Sequence, residues 1–290
     1  MSMGNSLRSV DAASALIVAH PGHEVRLHGW LESTSPLVFI LTDGSGRSGK
    51  SRINATTKYL GMVGVKPGSI FGRFTDKAVY QAILDRNFDF FIGLVDELSD
   101  ALVRSSFGYV VGDATEGYNT THDVCRLMIN CAVEAANRSN GHQIANYEYP
   151  VVNRPDCCPR DLHDRAIWLS LDEPTFKRKI AAAQTYYPEL FAEVEESLKD
   201  HGTGPLKTYL DRYSEAGHRR APGLDMFRTE CLRPAPARAE LIEANQHRQP
   251  FYELHGDEQV GAGYYDRTIR YREHILPLAD AISEHLERSQ

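Results

Sequence analysis

Short unbroken apolar runs alternate, in the first half of the chain, with longer segments whose apolar residues recur every three or four positions. Ala15-Leu16-Ile17-Val18-Ala19 is the first such run. A run of that length with no polar break reads as a strand buried on both faces, as in a parallel sheet. Leu37-Val38-Phe39-Ile40-Leu41 and Tyr109-Val110-Val111 repeat the pattern, and residues 69–71 and 144–149 are further candidates. Between them, residues 24–31, 52–63, 90–104 and 122–136 read as helices; Phe91, Leu94, Val95, Leu98 and Leu102 show the spacing most clearly. Strand, loop and helix in alternation predict a doubly wound, parallel α/β sheet. The second half is less regular. Residues 173–187 and 188–199 read as helices, and 202–236, rich in Gly, Pro and charge, as irregular or as an insertion. Residues 266–286 read as a terminal helix interrupted at Pro277. This divides the chain into an α/β catalytic domain over 10–200 and a C-terminal helical and irregular extension over 201–290, packed on the same domain.

Composition narrows the partners. The 290 residues are 42% hydrophobic, enough for one large α/β domain with additions or for two small ones. A formal net charge of −7 argues against a broad nucleic-acid footprint. No apolar run has the length of a membrane span, and the first ten residues lack the apolar stretch of a secretory signal. The five cysteines, odd in number and without a CxxC pair, speak against a disulfide scaffold and for a reducing cytoplasm. The expectation is a cytoplasmic protein with a small-molecule substrate, no nucleic-acid or membrane partner, and homo-oligomerisation left open.

Two loops carry candidate chemistry. His20-Pro21-Gly22-His23-Glu24 follows the first strand, where open parallel sheets place their ligands. Two imidazoles and a carboxylate within five residues suit a divalent metal such as zinc; the alternative is a polar helix start in which Glu24 sits at the positive helix end. Residues 112–123 form a long polar loop after another buried strand, ending at His122, a candidate third ligand or an exposed first-turn residue beside a helix cap.

Taken together, these loops resemble the LmbE-like, or PIG-L, deacetylases. Members have a first strand ending in Ala-His-Pro-Asp-Asp-Glu, where this chain has Ala19-His20-Pro21-Gly22-His23-Glu24. Their later His-Pro-Asp-His loop is matched by Asn119-Thr120-Thr121-His122, their Thr-x-Gly by Thr42-Asp43-Gly44, their helix-opening Arg by Arg52, and their Lys-x-x-Ala by Lys179 to Ala182. The resemblance covers residues 15–190. It implies a Rossmann-like fold, mostly parallel with helices on both faces, and zinc-dependent removal of an acyl group from an amino sugar or related glycoside. Carried over by position, His20, His23 and His122 are the metal ligands, with His23 in place of an aspartate. Gly22 stands where the family has its general base, and Asn119 where it has the histidine thought to polarise the oxyanion. Glu24 is the nearest substitute base, Asp43 the second, and Asp113 and Glu116 the third; Asn119 retains the capacity to donate to an oxyanion. The departure at Gly22 also keeps open a non-catalytic, ligand-binding relative.

A competing motif lies between the second strand and its helix. Residues 44–51, Gly-Ser-Gly-Arg-Ser-Gly-Lys-Ser, satisfy the P-loop pattern G-x-x-x-x-G-K-S in full. They imply a P-loop phosphotransferase or, alternatively, a loop over the site whose Arg47, Lys50 or Arg52 grips an anionic substrate. Near the C-terminus, Arg267, Arg270, Tyr271 and His274 share one helical face, which reads either as a cover for a polar substrate or as a packing contact.

Overall fold

Alternate residues of the first strand feed two different cores, and this sets the layers. The computed structural model describes residues 12–139, 143–213, 223–246 and 249–288. In β1 (Ser14–Val18), Ala15 and Ile17 pack on one side with Phe39 and Leu41, while Leu16 and Val18 pack on the other with Val38, Ile40 and Val111. Strand side chains alternate faces, so an unbroken apolar run demands cover on both. That cover is helical. The Ile17 side is closed by α3 (Asp76–Leu84), α4 (Phe88–Ser105), α5 (Thr120–Ser139) and α11 (Leu276–Arg288). The Leu16 side is closed by α1 (His28–Thr34) and α2 (Ile53–Val63), with residues of α6 (Glu173–Tyr186) and α8 (Pro205–Tyr213).

The other strands are β2 (Leu37–Thr42), β3 (Lys66–Phe74), β4 (Tyr109–Asp113), β5 (Ala145–Tyr149), β6 (Ile167–Ser170) and β7 (Thr229–Pro234). They form a seven-stranded sheet in the order β3-β2-β1-β4-β5-β7-β6. The first five are parallel, and β7 runs antiparallel to both β5 and β6. The fold is therefore Rossmann-like, with an antiparallel edge on a mostly parallel sheet. The winding reverses between β1 and β4, and the crevice outside their carboxyl ends is the place where such sheets bind ligands. Among the described residues, no helix is long and apolar enough to cross a membrane.

Four segments differ from the sequence reading. Residues 24–31 are a 3-10 turn over Glu24–Leu27 followed by α1, not one helix. Residues 202–236 contain α8 and β7, and β7 takes a central place in the sheet because long-range pairing with β5 and β6 supplies the order that its local composition does not. The third strand runs to nine residues, longer than the three expected. The terminal helix begins at Tyr271 rather than at 266, and it is irregular at Pro277 as expected: a π-helical turn over Tyr271–Ile275 runs into α11, whose second residue, Pro277, lacks the N–H that would bond back into that turn. The remaining helices are α7 (Pro188–Ser197), α9 (Arg238–Gln246) and α10 (Phe251–Gly261).

Gly112, one residue before the end of β4, has no room for a side chain. A Cβ there would lie 2.4 Å from Ile129 Cδ1, 2.5 Å from an Arg126 nitrogen and 2.7 Å from the Ile17 carbonyl oxygen. The Ile17 oxygen belongs to the neighbouring strand and cannot yield without breaking the β1–β4 register. Gly112→Ala is expected to cost about 1–3 kcal/mol by overpacking, read as a lower urea midpoint; an unchanged midpoint would show that the two strands can separate freely here.

Candidate functional site

Three imidazoles meet at the switch point. His20 follows β1 directly, His23 lies across the Pro21-Gly22 turn, and His122 stands in the first turn of α5. Their ring centroids are 4.5–5.3 Å apart, and all three residues are at least nine-tenths buried. The spacing of the histidines was visible in the chain; the topology adds that two loops 100 residues apart end at one point.

Hydrogen bonds decide which ring nitrogens are free. Thr42 donates its hydroxyl proton to the Ala19 carbonyl at 3.0 Å, so toward His20 Nδ1, 2.7 Å away, it can only accept. Asp76 Oδ1 accepts from the same nitrogen at 2.9 Å. His20 therefore carries its proton on Nδ1, and its Nε2, buried and without a partner, presents a lone pair. His23 is fixed likewise: Nδ1 donates to Asp113 Oδ2 at 2.8 Å. Burial, reinforced by the two neighbouring imidazoles, holds His122 well below the usual imidazole range, and its buried Nδ1 also lacks a partner. Burial pushes the Asp76 carboxyl up, but the contact with His20 more than reverses this and keeps it ionised.

Among the described residues, no three His, Cys, Asp or Glu side chains stand ready around one ion position, and the three rings cross at 61–84°. The donor chemistry nevertheless suits a borderline-soft divalent ion: neutral imidazoles, two of them oriented by carboxylates behind, as metal-binding histidines usually are. An imidazole turns about its χ2 torsion within a broad well, whereas an unpaired buried acceptor is costly to leave.

The imidazoles form one end of a cavity of about 340 Å³. Asn119 and Arg52 also line it. Asn119 Oδ1 accepts from the Thr121 amide at 2.8 Å, which leaves its NH₂ as the donor toward the cavity. Arg52, immediately before α2, has a buried Nε without a partner. The other predicted residues are placed elsewhere. Glu24 is fully buried beneath the loop, where it accepts from the Gly22 amide at 2.7 Å and from the Tyr187 hydroxyl; its carboxylate holds the turn and is not part of the cavity wall. Asp43 accepts from the Ser45 amide at 2.9 Å and does not line the cavity. Arg47 and Lys50 lie on the exposed rim of the loop, Arg47 resting 4.3 Å over the ring of Tyr264. Asp113 is committed behind His23, and Glu116 accepts from the amides of Val151, Val152 and Asn153 at 2.7–2.8 Å.

The P-loop pattern has no phosphate cradle. Residues 46–48 form a 3-10 turn, and α2 begins only at Ile53, after the Lys-Ser pair. The amides of Ser45 and Gly46 already point at the carboxylates of Asp43 and Asp76. Arg267 and Arg270 precede the helix that starts at Tyr271, so with His274 they do not share one helical face; Arg267 pairs with Asp85, Arg270 with Asp257, and the Tyr271 hydroxyl donates to the Ile242 carbonyl, so these residues make packing contacts.

Reading along the chain missed Asp76, Tyr118 and Glu193, all of which line the cavity. Asp76 opens the helix after β3, and its position at the end of a parallel strand was the available signal. Glu193 and Leu190 are one turn apart on α7, a helix whose contact with the first loop no local pattern reveals.

No family model and no curated protein matches the chain. Solved structures do resemble it. The A40926 pseudoaglycone deacetylase Dbv21 is 18% identical, with a TM-score of 0.48 over 77% of this chain and 97% of that one. The zinc-inhibited form of teicoplanin deacetylase Orf2 is 14% identical, with a TM-score of 0.44 over 77% and 98%. The conserved protein TT1542 from Thermus thermophilus is 14% identical, with a TM-score of 0.42 over 78% and 94%. The likeness is one of fold alone.

Gly22 explains its own identity. Its φ is +107°, and a Cβ there would lie 2.5 Å from Leu190 Cδ1 and 3.4 Å from Tyr187. The space that an aspartate would need is filled by Leu190. Gly22→Asp is expected to lose about 1–3 kcal/mol to the left-handed backbone and this overlap together, and Leu190→Ala added to it to recover only the overlap's share, both from urea unfolding. Equal stability of Gly22→Asp and the native chain would rule out the overlap.

Proposed function

We propose that this chain is a metal-dependent hydrolase that removes an acyl group from the nitrogen of an amino sugar or related glycoside. The observation that carries the reading is the convergence of His20, His23 and His122 on one end of a cavity, with carboxylates behind two of them. These three would hold the ion, zinc by the softness of the donor set. Bound there, such an ion supplies a Lewis acid and a water that ionises near neutral pH.

The chain's own residues supply the rest. Asp76 and Asp113 keep the imidazole protons on Nδ1 and so keep Nε2 basic. Asn119 donates to the carbonyl oxygen as negative charge gathers on it, and Arg52 takes a polar group of the substrate. Proton transfer falls to Glu193. Glu24 and Asp43 do not reach the cavity, both oxygens of Asp76 are taken by His20 and the Gly46 amide, and Glu193 on the cavity wall has one long contact, 3.5 Å from the Tyr118 hydroxyl. Glu193 is open to water at the cavity mouth, but the protein around it still desolvates the carboxyl enough to raise it, toward the value a general base needs.

Zinc uptake and turnover test this together. Protein prepared without chelator is expected to bind about one zinc per chain. His20→Ala and His122→Ala should abolish binding, and Asp76→Asn should weaken it about 10- to 100-fold. Glu193→Gln should leave zinc binding intact while removing the acidic limb of kcat/KM, because a base with a raised carboxyl loses activity as pH falls through its pKa. Undiminished zinc binding in both histidine variants would remove the reading.

A further inference from the structure

The wall that leads away from the imidazoles is apolar, and its few charged groups are already engaged. Ile180 and Ala183 of α6, Leu190 and Val194 of α7, Leu206 of α8 and Phe227 line it. Lys179 also reaches this wall, but its ammonium is turned to Glu230 at 2.9 Å and to the Arg26 carbonyl. Arg26 lies 5.1 Å over the Phe227 ring and donates to the Asn153 carbonyl at 3.2 Å. The Lys179 ammonium is not left to meet a ligand's hydroxyls, and the Arg26 guanidinium is held flat against the Phe227 ring.

We propose that this wall receives the acyl chain of the substrate, and that the chain is an apolar one of several carbons rather than acetyl. The inference rests on the deacylase reading above. A sugar placed against this wall would bury its hydroxyls without partners, at a cost that a methylene chain does not meet. The polar half of the substrate therefore stays toward the open side of the cavity, where Tyr118 and the exposed Glu193 stand. Leu190 brings the apolar wall up to Gly22, beside the imidazoles, so the lining is continuous with the place of bond breaking. In the reaction, water adds to the acyl carbon and gives a proton to Glu193. The C–N bond then breaks, the amine nitrogen takes that proton, and a free amino sugar leaves with a fatty acid, whose carboxyl proton passes to water.

The experiment compares N-acetyl-, N-butanoyl-, N-hexanoyl- and N-octanoyl-glucosamine on the zinc-loaded protein, measuring released glucosamine, and titrates octanoate into the metal-free protein by calorimetry. Each buried methylene is worth up to about fourfold, so kcat/KM is expected to rise at least tenfold from acetyl to hexanoyl. Octanoate is expected to bind with a negative heat-capacity change. Ala183→Phe narrows the wall and should shift the preference toward shorter chains and weaken octanoate. Hydrolysis that is fastest for acetyl, with no octanoate binding, overturns the proposal and leaves the deacylase reading standing. Octanoate binding with no amide hydrolysed overturns the deacylase reading and keeps the apolar subsite. Absence of both removes the two together.

Discussion

One buried carboxylate ties the sheet to the site. Asp113, the last residue of β4, has no exposed surface. One oxygen accepts from the Ala19 amide and from His23 Nδ1, each at 2.8 Å; the other accepts from the Tyr149 hydroxyl at 3.2 Å. Burial pushes this carboxyl up, and the His23 contact and the Ala19 amide more than reverse it. The end of β1, the end of β5 and the first loop are thus held to β4 through a single charged group. Arg126, fully buried, secures the same residue from behind by donating to the Asp113 carbonyl at 2.7 Å. A charge buried this deeply is tolerated only when every partner is in place. The orientation of His23 is therefore not adjustable independently of the sheet.

Much of the frame was legible because it is local. The apolar runs of β1, β2 and β4 have no other reading once both faces must be covered, and the parallel sheet then places residues 20–23 and 122 at one end. The chemistry around the imidazoles was less legible because it is long-range. His20 and Asp76 are 56 positions apart, and the only mark on residue 76 is its place just after a parallel strand. Glu24, beside the histidines in sequence, was the natural choice of base; the turn at Gly22 carries it under the loop, where Tyr187 and the Gly22 amide take its oxygens. Proximity along the chain and proximity in space part company within two residues of the site.

The loop at 44–51 shows the converse. A glycine pattern specifies a phosphate cradle only if its amides are free and a helix begins at the right residue. Here two acidic side chains occupy those amides, and the helix starts late. One of them, Asp76, is also the residue that orients His20. The loop's amides and the histidine's proton therefore share one anion, which braces the loop against the floor of the cavity.

The place of β7 bears on how the chain reaches this structure. Among the described residues β6 pairs only with β7, and the outer edge of β5 is closed by β7, whose residues follow those of β6 by about sixty positions. While the chain emerges from a ribosome, the five parallel strands can assemble with β5 as an open edge and β6 waiting. Such an edge is a template for wrong partners until its own strand arrives. Glu230 of β7 accepts from the amides of Gly29 and Trp30, each at 2.9 Å, so the last strand to join also anchors the start of α1, the helix that follows the first loop.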